Sequence, residues 1–231
     1  MYNLAQKTLA EFLGTFALLF VSAGSLCAAQ QAGARGPGPL ALAFAPGLVL
    51  AAMLVALGPI SGGHFNPAVT AAFWVTRRQG TLEAMLFWAA QLAGAAAGCY
   101  LVSLFFLSDV WRSARLGLPA LSSDVSPVFG MLVEAALTFF LVLVYFAAAG
   151  GKETAGAKLA PLAIGFTLTA NILVGGALTG AAMNPARAFG PALVGNYWAN
   201  QMVYWVGPLA GGILAGSLFS LLLARKPTAQ V

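Results

Sequence analysis

The sequence predicts an all-α polytopic membrane protein in which six transmembrane helices and two re-entrant half-helices form an inverted repeat. Three observations lead there. Hydrophobic residues make up 60% of the 231 and charged residues 7%, a balance that does not suit a water-facing surface. Six apolar stretches of near-spanning length follow one another along the chain. The tripeptide Asn66-Pro67-Ala68 returns as Asn184-Pro185-Ala186 with matching residues around both copies, which marks an internal duplication.

The apolar stretches are residues 6–29, 40–58, 81–107, 128–149, 158–178 and 199–223, each close to the roughly 20 residues that a spanning helix needs. The first resembles a secretory leader only superficially. Glu11 falls where a leader is basic or apolar, and the run 12–29 is long enough to span, so it reads as a retained helix. Residues 33–39 form a Gly/Pro turn, 107–127 the longest loop and 150–156 a charged turn. None is large enough to hold a second domain, so residues 1–231 read as a single domain with repeats of approximately 1–110 and 125–231.

The repeats agree beyond the tripeptide. Glu11 with Thr15 and Phe16 is echoed by Glu134 with Thr138 and Phe139, and Ser61-Gly62-Gly63 by Thr179-Gly180-Ala181. Residues 66–76 and 184–194 are apolar but too short to span. In each, Asn can cap a helix and Pro suits its first turn. At about 1.5 Å per residue, such a piece covers roughly 15 Å, half of a hydrocarbon core of about 30 Å. Three full spans separate the two copies, and an odd number of crossings makes the second enter from the opposite face. The half-helices then meet end to end near the midplane, Asn toward Asn.

Lys7, Arg77, Arg78, Lys152, Lys158, Arg225 and Lys226 fall on the side of the termini, against Arg35, Arg112 and Arg115 on the other, which places both termini in the cytoplasm of a cell-membrane protein. The net charge of +5 is therefore a topology signal. Scattered singly between apolar runs, these charges build no basic face for nucleic acid. Cys27 and Cys99 lie in apolar stretches, and a single His leaves no metal-ligand set, so neither a disulfide nor a metal or other cofactor is expected. Catalysis lacks a nucleophile and base pair. Gly94 with Gly98, and Gly212 with Gly216, have the helical spacing that suits close helix contact in lipid.

A half-helix ending inside a bilayer leaves N–H donors that lipid cannot satisfy, so they must face protein or water. Two N-termini meeting head to head also place about half a positive charge each at one point, a barrier to cations and to a proton hopping along a water file. The amides of Asn66 and Asn184 can donate to a passing oxygen as well as capping their own helices. Such a site fits a neutral, oxygen-bearing solute.

The segments Ser61-Gly62-Gly63-His64-Phe65-Asn66-Pro67-Ala68-Val69-Thr70 and Thr179-Gly180-Ala181-Ala182-Met183-Asn184-Pro185-Ala186-Arg187 resemble the aquaporin, or major intrinsic protein, family, and the resemblance runs over nearly the whole chain. It implies a pore in every subunit, usually of a homotetramer, that passes water and small neutral solutes. It implies that Asn66, Pro67, Ala68, Asn184, Pro185 and Ala186 form the central constriction. A narrower outer filter is expected at Arg187, Ile172, Ala181 and Pro46, and the backbone of Gly62, Gly63, His64, Gly180 and Ala182 is expected to line the pore. Glu11 and Glu134 take a structural role, accepting N–H groups from the loop ahead of each half-helix.

Water-selective members of this family typically carry an aromatic residue where this chain has Pro46 and His where it has Ile172. Losing that bulk predicts a wider opening, apolar on one side, like those of relatives that pass glycerol, urea, boric acid or arsenite. Ala188 and Ala192, with Tyr204-Trp205 in the last helix, are by contrast water-channel-like choices. The expectation is a pore for water with some small uncharged solutes, the metalloid acids and glycerol or urea being the alternative principal cargo. Arg187 cannot lose its charge and repels a desolvated cation. Pro46 removes one backbone bond, freeing the Leu42 carbonyl either as a simple kink or as a pore-lining acceptor. Tyr197 and Trp198 read as interfacial anchors. A rival reading takes Glu11 or Glu134 as the proton-coupling site of a secondary transporter.

Overall fold

A computed structural model of the chain describes residues 2–149 and 155–223. Lys152, Arg225, Lys226 and most of the 150–156 turn, all used in the topology argument, lie outside the described residues. Nine α-helices and no strand occur among the described residues: α1 Leu4–Ala32, α2 Pro39–Ser61, α3 Pro67–Val75, α4 Thr81–Phe105, α5 Ser108–Ser113, α6 Pro127–Ala149, α7 Ala155–Thr179, α8 Pro185–Gly195 and α9 Gln201–Leu218. Six of them are long and apolar enough to cross a membrane. The remaining three are the half-helices α3 and α8 and the short α5.

Element ends follow local chemistry. Asn3 opens α1 as a capping box, its side chain accepting from Gln6 N while Gln6 Oε1 accepts from Asn3 N, both at 2.9 Å; two otherwise stranded N–H groups are thus satisfied. That helix runs to Ala32, past the predicted end at 29, because Gly33 first leaves the helical region at φ 56. The loop expected over 107–127 contains α5, and the last span finishes as a π-helical turn over Phe219–Leu223. Pro46 and Pro59 lie inside α2 without ending it.

The inverted repeat is visible in the packing. Helix α1 lies on α4, where a Cβ at Gly98 would come within 2.6 Å of Phe16 O and one at Gly94 within 3.1 Å of Phe16 N. The equivalent pair, α6 on α9, closes at Gly211 against the Ala135 backbone. Between α2 and α7 the contact is self-complementary: Gly47 and Gly165 occupy matching positions of the two repeats, and a Cβ on Gly47 would sit 2.6 Å from Gly165 O. Gly212 and Gly216 instead accommodate α3: a Cβ on Gly212 would stand 2.9 Å from Ala68 O, and one on Gly216 3.1 Å from Ala72 Cβ. Small residues here replace side chains with backbone contact, the form of helix packing available where lipid removes the hydrophobic drive. Large apolar side chains such as Leu48, Val55, Leu104, Phe105, Phe140 and Phe166 face outward, as a lipid-facing belt must.

Candidate pore and its constrictions

Each half-helix is held by one buried carboxylate reaching into the loop before it. Glu11, fully buried in α1, accepts from Ser61 Oγ at 2.7 Å, His64 N at 2.9 Å, Phe65 N at 2.6 Å and Gln91 Nε2 at 2.8 Å. Glu134, equally buried in α6, accepts from Thr179 Oγ1 at 2.6 Å, Ala182 N at 2.9 Å and Met183 N at 2.7 Å. Such loops carry backbone donors that no regular element satisfies, and inside a membrane they need an internal acceptor. The same hydroxyls cap their own turns, Ser61 Oγ accepting from Gly63 N and Thr179 Oγ1 from Ala181 N, both at 3.1 Å.

The loops reverse direction through left-handed backbone. Gly62 and Gly180 sit at φ 94 and φ 80, where a side chain would be strained. Phe65 and Met183 take the same region at φ 48 and φ 52 despite their side chains. Residues other than Gly persist there only where the surroundings over-determine them; here the carboxylate hydrogen bonds do so.

Both Asn residues cap their helices. Asn66 Oδ1 accepts from Ala68 N at 2.8 Å and Asn184 Oδ1 from Ala186 N at 2.9 Å, with Pro67 and Pro185 at the first helical positions. Their amide nitrogens cross between repeats: Asn66 Nδ2 donates to Met183 O at 2.8 Å and Asn184 Nδ2 to Phe65 O at 2.9 Å. One N–H of each amide is thereby used, and an amide has two. The N-terminal ends of α3 and α8 consequently lie against each other in the interior, with Ala68 and Ala186 fully buried.

Two cavities run through this region. The inner one offers about 20 Å³ to water centres, roughly one water's worth, and is bordered by His64, Asn66, Asn184 and Ala182 together with apolar side chains including Leu50, Leu141 and Leu168. The outer one opens to about 450 Å³ between Leu26, Leu42, Leu118, Gly180 and their neighbours. Ser22, Pro46, Ile172 and Arg187 border both, so the waist between the cavities is built from these four.

Three of the four residues expected at the outer filter therefore come together. Ala181 does not join them: it is fully buried at φ 46 and borders neither cavity, because the loop turns its methyl toward Gly175, 3.4 Å from a Cβ there. Gly180 borders the outer cavity and Ala182 and His64 the inner, whereas Gly62 and Gly63 border neither. Ser22 is an addition to the expected set; a lone Ser in an apolar helix gives no motif. Leu42, whose carbonyl Pro46 frees, borders the outer cavity.

Arg187 brings an unpaired fork to the waist. Its Nε and Nη1 are buried and have no hydrogen-bond partner among the described residues. His64 is braced from the side, its Nδ1 3.0 Å from Thr70 Oγ1 and its ring tilted against Phe73 at 4.6 Å, while its carbonyl accepts weakly from Tyr145 Oη at 3.4 Å. Trp198, half-exposed, donates to Asn196 Oδ1 at 3.0 Å. Cys27 and Cys99 are buried free thiols, and no metal-binding cluster occurs among the described residues.

The family model described as Major intrinsic protein matches residues 1–219. The chain is similar to "Probable aquaporin TIP3-2" of Arabidopsis thaliana, 44% identical over 94% of this chain and 84% of that one. It is also similar to "Aquaporin-5" of Rattus norvegicus, 39% identical over 93% and 79%. Among solved structures, the aquaglyceroporin from Plasmodium falciparum superposes with a TM-score of 0.83 over 96% of this chain and 97% of that one, at 21% identity.

Proposed function

The chain belongs to the major intrinsic protein family, and from that premise we propose that it works as a passive pore for water and small uncharged solutes that refuses ions and protons. Membership sets it among channels rather than enzymes, and it is a multi-pass membrane protein. The observation that carries the reading is the crossed pair of Asn amides at the meeting of α3 and α8. Their unused N–H groups and the positive ends of both helices converge beside the inner cavity, and they reward an oxygen acceptor while opposing positive charge.

On this reading Asn66, Pro67, Ala68, Asn184, Pro185 and Ala186 form the central constriction, and Arg187, Ile172 and Pro46, with Ala181 behind them, form the outer filter. Backbone groups of His64, Gly180 and Ala182 supply the remaining lining, with Gly62 and Gly63 behind them in the loop, and Glu11 and Glu134 hold the loops. Residues 1–231 act as one channel domain built of repeats of approximately 1–110 and 125–231, and the pores assemble as a homotetramer in the cell membrane. Lys7, Arg77 and Arg78 gather at one end, where Lys7 pairs with Glu83 at 2.8 Å and Arg78 lies over the Phe146 ring at 4.8 Å. Arg35, Arg112 and Arg115 follow α1 and α4 at the other. With Lys152, Lys158, Arg225 and Lys226 of the sequence assigned to the first end, the count is seven against three, and that asymmetry supports cytoplasmic termini.

Pro46 and Ile172 leave one side of the waist apolar and without a ring. This supports permeation by solutes larger than water, with glycerol, urea and the metalloid acids as candidates. Stopped-flow light scattering on proteoliposomes, challenged in turn with sucrose, glycerol, urea and boric acid, tests it. Fast shrinkage in sucrose and reswelling with permeant solutes are expected, with rates indifferent to a pH gradient. Flux that follows the gradient would instead identify a proton-coupled transporter using Glu11 or Glu134.

A further inference from the structure

The waist contains one polar side chain that the family motifs do not account for. Ser22, in the middle of α1, is 5% exposed and borders both cavities, in company with Pro46, Ile172 and Arg187. Its hydroxyl has no hydrogen-bond partner among the described residues. Helical hydroxyls elsewhere in the chain satisfy themselves by donating back one turn: Thr8 to Leu4 O, Thr15 to Glu11 O and Thr138 to Glu134 O, at 2.7–2.8 Å. Ser22 has that option in Leu18 and does not use it. A buried hydroxyl left unpaired is costly and calls for a reason.

The surroundings supply one. Pro46 and Ile172 offer neither donor nor acceptor from their side chains, and no aromatic ring at position 46 covers this part of the wall. Arg187, which borders the same two cavities, has two further buried groups without a hydrogen-bond partner among the described residues, Nε and Nη1. Half the waist is thus hydrocarbon and the other half is an unsatisfied guanidinium fork and an unsatisfied hydroxyl.

We propose that Ser22 is a specificity-determining residue of the waist, its hydroxyl acting with Arg187 to bind uncharged solutes that carry both an acceptor oxygen and an N–H or O–H donor. The solute's oxygen accepts from the Arg187 fork, and its own N–H or O–H donates to Ser22 Oγ, while its remaining surface rests on Pro46 and Ile172. Urea and polyols have that pattern. Water has it too, but a water in file keeps neighbours before and behind as partners. A solute that fills the waist excludes those neighbours and depends on the wall for every bond it exchanges. The hydroxyl therefore matters more to the solute than to water, and its contribution shows in the ratio of their permeabilities. This inference rests on the channel reading above.

Val and Thr have nearly the same volume and differ by the hydroxyl, so Ser22→Thr and Ser22→Val separate chemistry from bore. Each would be purified, checked for a single gel-filtration peak in detergent, reconstituted, and measured for water, urea and glycerol permeability. With one net hydrogen bond at stake, the urea-to-water and glycerol-to-water ratios should be roughly three- to tenfold lower in Ser22→Val than in Ser22→Thr. Equal ratios in the two variants overturn the proposal, leaving Ser22 as a determinant of width alone. Should Ser22→Val not fold, Ser22→Ala decides: a hydroxyl role lowers the ratios, whereas a width role raises them because the bore opens. Unchanged protein that passes water but neither solute also overturns the proposal while leaving the channel intact. Water flux no faster than empty vesicles removes the channel reading itself, and this inference with it.

Discussion

Replacing Glu134 by Gln tests the physical link between the buried carboxylates and the pore. The carboxylate gives Oε1 to Thr179 Oγ1 and Ala182 N, and Oε2 to Met183 N at 2.7 Å. A Gln side chain of the same size keeps one oxygen. Its NH2 group then faces whichever donor met the other oxygen, and in the less damaging orientation that is the Met183 N–H alone. One buried N–H left unpaired costs about 1–3 kcal/mol, and the surviving bonds lose the added strength of a charged acceptor, so a total of about 2–4 kcal/mol is expected. The strain does not remain in its own half. Met183 O accepts from Asn66 Nδ2 at 2.8 Å, so a displaced Met183 moves the opposite half-helix's Asn. Thermal unfolding of the detergent-solubilised protein should shift downward, and water permeability per reconstituted channel should fall with it. A Glu134→Gln variant with unchanged melting and unchanged water flux would refute the claim that the carboxylate positions the constriction.

Three other outcomes are expected. The double substitution Ile172→His with Pro46→Phe should restore bulk to the waist and suppress urea and glycerol flux by at least an order of magnitude relative to water, roughly what more than 1.4 kcal/mol of added barrier gives; proteoliposome swelling reads it. Gly211→Leu should prevent stable folding, since even a Cβ there overlaps the Ala135 backbone and overpacking of a close contact typically costs about 1–3 kcal/mol or more; yield and a gel-filtration profile are the measurement. Lys7→Ala should be close to neutral, because its 2.8 Å pair with Glu83 is partly exposed at 34% and 24%, and pairs of that kind contribute about 0–1 kcal/mol; a melting curve within error of the unchanged protein is the expected result.

Much of the architecture can be read from the residues because membrane constraints are severe. Six apolar runs appear as six long helices since a bilayer admits only fully hydrogen-bonded backbone, and the half-helices are marked by runs of half the spanning length behind Asn-Pro. Helix ends are less legible. Polar Gln30 and Gln31 hide the last turn of α1, which continues to Ala32, because a helix emerging from lipid needs no apolar residues to persist. At the waist between the two cavities, Pro46, Ile172 and Arg187 can be named by counting from the motifs. Ala181 can be placed at the turn but not oriented, since its direction depends on a positive φ of 46 that an Ala does not announce. Ser22 is invisible in the sequence for a different reason: it joins the wall beside Pro46, Ile172 and Arg187, a relation between helices rather than a pattern within one.

The crossed hydrogen bonds also explain why duplication matters to the chemistry. In each repeat a carboxylate fixes the peptide N–H of one residue, Phe65 or Met183, and the carbonyl of that same residue accepts from the Asn of the other repeat. Glu11 thus helps set Asn184, and Glu134 helps set Asn66. Neither half-helix can tilt alone without breaking a bond that belongs to its partner. Two helix ends that repel each other electrostatically are in this way held together by backbone carbonyls lying between them. The halves are not equal, however. Glu11 accepts four bonds including Gln91, and Glu134 three. Where the first loop carries the His64 ring, braced by Thr70 and Phe73, the second carries the methyl of Ala182. The better-anchored, bulkier loop borders the cavity with room for about one water, about 20 Å³, while the waist beyond it meets an outer cavity of about 450 Å³. On the proposed reading, a solute bound at the Arg187 side gives up its last water neighbours before it reaches the Asn amides, which would make the waist, rather than the midpoint, the place where solutes are told apart.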